Sequence, residues 1–142
     1  MFPIRICGKT DKARAMIAAK SASASATSSQ TTTSASLADL DSMTVTLTLT
    51  VPCAVLLLAQ VQLTVSAAGK PVTIEVTDSA NALVGLAWVQ DFHNTEEVCI
   101  VQVMALATGT VGANTWKIRW ATATTNTATI TNRYMTGLAF PS

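Results

Sequence analysis

Residues 43–51 read Met-Thr-Val-Thr-Leu-Thr-Leu-Thr-Val, nine positions in which an apolar side chain and a threonine alternate without a break. Side chains of a strand point to opposite faces in turn. Met43, Val45, Leu47, Leu49 and Val51 therefore fall on one face, and Thr44, Thr46, Thr48 and Thr50 on the other. A helix would scatter the same residues around its circumference. The pattern predicts a half-buried strand, and Pro52 ends it.

The rest of the body keeps this rhythm. Residues 53–65 begin as a continuous apolar run through Leu56, Leu57 and Leu58. They then alternate Val61, Leu63 and Val65 with Gln60, Gln62 and Thr64, as a strand more deeply buried at one end would. Val72, Ile74 and Val76 alternate with Thr73, Glu75 and Thr77. Residues 83–90, with Trp88, and 97–107, with Val98, Ile100, Val101, Val103 and Met104, read as two further strands. Trp116, Ile118 and Trp120 alternate with Lys117 and Arg119, which predicts an aromatic inward face and a basic outward one. Residues 128–131 and 133–140 close the chain as one bent strand or two. Turn residues at 67–71, 78–81, 108–114 and 124–126, and a polar loop at 91–96, separate these runs. Seven or eight strands at this spacing, with no helical pattern in the body, predict an all-β fold. It is an antiparallel β-sandwich or jelly roll with an extended N-terminal arm.

The chain has 142 residues, the size of one domain. Charged residues make up 12% of it, against about a quarter in an average protein. That deficit points to a body with little bare surface, as in an oligomer or a large assembly. The threonine faces are neutral, so they can pack on a neighbouring subunit at little desolvation cost if their hydroxyls find partners. The net charge of +1 hides an asymmetry. Residues 1–20 hold Arg5, Lys9, Lys12, Arg14 and Lys20 against Asp11 alone, a net +4, whereas residues 21–142 hold four bases and seven acids, a net −3. A basic arm on an acidic body is a common interaction pattern. Asp11 can cap a short helix over residues 12–20, too short to stand alone in water. Residues 21–36, SASASATSSQTTTSAS, form a low-complexity linker that cannot build a core, with scope for one strand at 30–33. The expected division is a basic arm and linker over 1–36 and a sandwich head over 37–142. Met16 to Ala19 is too short for the core of a signal peptide, and residues 51–65 are too short to span a bilayer.

Candidates for chemistry are few. Cys7, Cys53 and Cys99 match no zinc or redox spacing and are expected as reduced, buried thiols. His93 is the one histidine, so any Ser-His-Asp or Cys-His arrangement must use it. With Asp91 and a glutamate it could ligate a metal, but the spacing fits no ordered motif and a solvated acidic loop is the expectation. Glu96 and Glu97 are adjacent, so on a strand they point to opposite faces and share no site. The Gly109 to Gly112 stretch lacks the Lys-Ser/Thr and helix of a phosphate loop. Lys117 and Arg119 sit between two tryptophans, but alternation turns those rings to the opposite face, into the core. No cofactor, metal, nucleic-acid or membrane partner is expected, and the chain reads as a non-enzyme.

Two stretches carry a family likeness. Thr31-Thr-Thr-Ser-Ala-Ser-Leu-Ala-Asp-Leu leads into the run from Met43. Gly112-Ala-Asn-Thr-Trp-Lys-Ile-Arg-Trp is followed by Thr127-Ala-Thr-Ile-Thr-Asn-Arg-Tyr-Met-Thr-Gly-Leu-Ala-Phe. On these, residues 30–140 resemble the short jelly-roll modules of tailed-phage virion proteins, which belong with TNF/C1q-like trimeric β-sandwiches. Met135 and Thr136 stand near where those modules usually carry a leucine. The resemblance implies a trimeric structural or adhesive role and brings no catalytic residues.

The expectation is a capsid decoration (cementing) protein or short head fibre. It would be made in the host cytoplasm, located in the virion, and self-associated as a homotrimer. Arg5, Lys9, Lys12, Arg14 and Lys20 would hold the major capsid protein or another virion protein. The alternative is a tail or baseplate component that binds a host-surface glycan through loops 78–82, 91–96 and 108–114. An unrelated enzyme or regulator on a sandwich fold is the third reading, which turnover would reveal.

Overall fold

The computed structural model describes residues 20–95 and 97–141. Nine strands run along them: β1 (Lys20–Ala26), β2 (Gln30–Thr32), β3 (Ala38–Leu49), β4 (Cys53–Val65), β5 (Val72–Asp78), β6 (Trp88–Gln90), β7 (Cys99–Gly109), β8 (Gly112–Thr122) and β9 (Ala128–Pro141). They form two antiparallel sheets. One has the order β1-β9-β4-β7, with β2 also pairing to β9, and the other has the order β3-β8-β5-β6. From β3 to β9 the chain changes sheet at every connection except β5 to β6. It thus winds back and forth across one core, which is the jelly-roll arrangement. No helix occurs among the described residues.

The alternation of residues 43–49 positions β3 as its pattern demands: Met43, Val45, Leu47 and Leu49 are buried and Thr44, Thr46 and Thr48 are exposed. Val51 lies past the strand end and is half exposed. β4 alternates over its whole length, with Val55, Leu57, Val61 and Leu63 inward and Leu56 and Leu58 on the outer face. Trp116, Ile118 and Trp120 of β8 are buried, and Lys117 and Arg119 face out. There Asp39 of β3 lies 2.8 Å from Lys117 and 3.2 Å from Arg119. Trp120 Nε1 and Thr77 Oγ1 are buried without a hydrogen-bond partner. An orphaned donor costs about 1–3 kcal/mol, and burying a large apolar side chain gains about as much. Trp120 therefore serves by its volume rather than its N–H.

Two bulges set which side chains face the core. In β3 the register shifts between Asp39 and Thr44, with Ser42 at φ +60°. In β9 it shifts between Ile130 and Arg133, opposite Leu63 and Val61. The extra residue reverses the parity of β9, so Met135, Gly137 and Ala139 continue the inward face begun by Ile130. β9 is thus one bulged strand. The bulge also turns Arg133 inward, where it is 5% exposed. Arg133 Nε donates to the Asp41 carbonyl at 3.0 Å, and Nη1 donates to the carbonyls of Ser28 at 2.5 Å and Thr131 at 3.3 Å.

Three segments differ from the sequence expectation. Much of the expected linker joins the sheet: β2 is the strand allowed for at 30–33, and β1, an unexpected strand, pairs with β9 beside it, from Lys20↔Ala139 to Ala26↔Arg133. Ala22 and Ala24 pack on the core while Ser21, Ser23 and Ser25 point outward. Main-chain pairing to β9 carries this strand, with only methyl groups to bury. The strand expected over 83–90 shrinks to β6, and its Trp88 is 44% exposed. Within the loop expected to be polar, Phe92 is fully buried, and its carbonyl accepts from Gly69 N–H at 2.6 Å. Gly69 adopts φ +68°, a conformation that favours glycine. Cys53 is buried and Cys99 half-buried, both as free thiols. Cys7 lies outside the described residues.

Candidate interaction surface

Register builds the outer face of the β1-β9-β4-β7 sheet in lateral rows. Ser21, Leu138, Leu56 and Leu106 make one row. Ser23, Thr136, Leu58 and Met104 make the next, and Ser25, Tyr134, Gln60 and Gln102 a third. Met104 and Leu106 are 71% and 70% exposed. A depression of about 500 Å³ lies on this face, lined by Leu58, Gln60, Gln102, Met104, Tyr134 and Thr136. The polar groups here are neutral and partly matched to one another: Gln102 donates to Gln60 at 3.3 Å and Asn132 to Gln62 at 2.7 Å. Every described acid and base lies elsewhere, on the β3-β8-β5-β6 sheet, in loops, at the start of β1 or, for Arg133, inside.

The opposite sheet presents the threonines of β3 together with charge. Thr46 and Thr115 share a hydroxyl hydrogen bond of 2.8 Å. The hydrogen bond from Lys117 holds the Asp39 carboxyl below the ordinary aspartate range, against a smaller upward push from burial. The nearby Lys117 and Arg119 charges act in the same downward direction.

The two ends of the sandwich differ. One end gathers the start of β1, the end of β9 and the connections β3–β4 and β7–β8, as the pairs Lys20↔Ala139, Leu49↔Gly112 and Cys53↔Gly109 require. Lys20, the expected anchor residue nearest the body, sits here and donates from Nζ to the Thr48 carbonyl. Arg5, Lys9, Lys12 and Arg14 lie outside the described residues, as do residues 12–19 of the expected helix, whose last residue, Lys20, opens β1 instead. The other end gathers the β4–β5, β6–β7 and β8–β9 connections.

This geometry separates the three loops expected to act together. Loops 78–82 and 108–114 meet at the β1 end in a polar groove of about 240 Å³, which includes Asp78, Thr108, Thr110 and Asn114. Loop 91–96 is at the far end. The groove's polar side chains hold their own turns. Asp78 accepts from the Ala80 and Ala82 N–H groups, and Asn114 bonds to Thr110 and Gly112. In the far loop, His93 N–H donates to Glu97 at 3.2 Å, while Glu96 is outside the described residues. Burial, with Glu97 beside it, pushes the Cys99 thiol up, away from the reactive thiolate form. No group of three His, Cys, Asp or Glu residues able to hold a metal occurs among the described residues.

No protein family and no curated protein matches the chain. Among solved structures it is similar to a chain in the structure of infectious bursal disease virus Gx strain, at 10% identity and a TM-score of 0.44. That similarity covers 85% of this chain and 32% of the viral chain, so this chain spans about a third of its length.

Proposed function

We propose that this chain is a virion structural protein, a capsid decoration protein or short head fibre. Its sandwich head associates with further copies as a homotrimer, and its basic N-terminal arm docks on the major capsid protein. The observation that carries the reading is the division of charge. The head keeps one broad face free of it, while five bases gather in residues 1–20, and the last of them opens β1 at one end of the sandwich. An anchor at that end leaves the far end directed outward. Single exposed ion pairs contribute about 0–1 kcal/mol, so three arms acting together would supply much of the hold. Replacing Arg5, Lys9, Lys12, Arg14 and Lys20 together by glutamine is expected to lower occupancy on purified capsids. Occupancy equal to wild type would overturn the role of the arm.

A tail or baseplate component that binds a host glycan is the second reading, favoured by the groove between loops 78–82 and 108–114. It is the weaker one, because Asp78 and Asn114 are committed to their own turns and have fewer free bonds for a sugar. A glycan array on the whole chain separates the two readings.

A further inference from the structure

We infer that the outer face of the β1-β9-β4-β7 sheet is the surface on which a second copy of this chain packs. This deepens the oligomeric part of the reading above and rests on it.

Chemistry argues for a copy of the chain over a charged partner. Nucleic acid, an anionic membrane or an acidic peptide needs cationic side chains to hold it, and this face has none. Two pairs of its amides are matched to each other across strands. What remains is a neutral field of Leu56, Leu58, Met104, Leu106, Leu138 and Tyr134. The complement of a neutral apolar face is another uncharged apolar surface, and in a ring of three the β7 edge of one copy brings it to the face of the next.

Size agrees. Strands lie about 4.8 Å apart and rise about 3.3 Å per residue. β7, β4 and β9 over 11 residues each, with the seven residues of β1 and the three of β2, therefore offer about 680 Å², close to the roughly 800 Å² per partner of a specific interface.

Continuity with an unguarded edge adds a third argument. β7 is the outermost strand of its sheet, and its sequence, CIVQVMALATG, holds no charge and no proline. Exposed edges ordinarily carry such residues to block pairing with other chains. Leu86, at 85% exposure, and Trp88 and Val98 extend the apolar surface beyond the face, into β6 and the segments before β6 and β7. A copy seated on the face would shield the edge as well. The other sheet, with Asp39, Glu75, Lys117 and Arg119 outward, stays in water.

The test measures the solution mass of the full chain as wild type, as Met104→Lys with Leu106→Glu, and as Thr46→Lys with Thr48→Lys on the opposite sheet. The wild type and the opposite-sheet variant are expected to be oligomers of equal mass. The face variant is expected to dissociate at least about tenfold more readily. A folded face variant of wild-type mass overturns this interface and leaves the oligomer standing. A monomeric wild type overturns both together.

Peroxide oxidation of the unmodified protein is the second measurement and needs no variant. Met104 is expected to resist while the oligomer persists and to oxidise once dilution separates the copies. Met43 and Met135, fully buried within each chain, serve as internal references. Oxidation of Met104 in the intact oligomer at the dissociated rate overturns the inference.

Discussion

Arg133 is the residue on which the fold's polar accounting turns. Its guanidinium is nearly buried and faces carbonyls of Ser28, Asp41 and Thr131, so it ties the β1–β2 connection and the β3 bulge to β9. Arg133→Met would keep much of the volume and remove every donor. Unfolding in urea should show a loss of about 1–3 kcal/mol, because three part-buried carbonyls lose their partner. A loss under about 0.5 kcal/mol would show that water replaces the guanidinium. Asp39 gives a pH-dependent prediction. Its carboxyl titrates lower folded than unfolded, so its contribution is present above the ordinary aspartate value and fades as pH falls through the lowered one. Asp39→Asn should therefore flatten the decline in the urea midpoint between about pH 5 and pH 2. The effect is small, since more than half of the Asp39 side chain is in solvent. Trp116 and Trp120 were legible as core from alternation alone. Arg133 was not, because in an unbulged strand its position has the outward parity.

At the scale of elements, legibility followed the size of the apolar side chains. β3, β4 and β8 announce themselves because Leu, Val, Ile and Trp recur at every second position. β1 has the same period in Ala and Ser, but methyl groups carry so little transfer free energy that the pattern passes for a linker. Residues 83–87 carry Leu83, Val84 and Leu86 yet form no named strand, because only Leu83 bridges to Thr77. The candidate face was half legible. The sequence showed its shortage of charge, but only the register brings Leu56, Leu106 and Leu138 into one row. A chain beginning at Leu37 loses β1, β2 and the Ser28 partner of Arg133. It should be less stable than one beginning at Lys20 by at least about 2 kcal/mol. It should also aggregate through the bared edge of β9. Equal denaturation midpoints would show that β1 and β2 contribute little.

The whole molecule is a body with two unlike ends and two unlike faces. The arm joins at the end where β9 finishes, and Thr124 and Thr125 lie in an exposed turn at the other, with Thr125 at φ +67°. A short peptide inserted between Thr124 and Thr125 should be reachable by antibody on decorated capsids without loss of occupancy. One inserted between Thr110 and Val111, near the arm, should lower occupancy. Occupancy lost in the first and kept in the second would reverse the orientation. The uncharged face has a consequence for how such an assembly comes apart. Attachment through basic side chains weakens as ionic strength rises, because counterions screen it. Contact through apolar side chains is strengthened by sulfate, which is excluded from protein surfaces. A rising gradient of ammonium sulfate should thus strip the protein from its support while leaving its own multimers whole, and they should elute as one species.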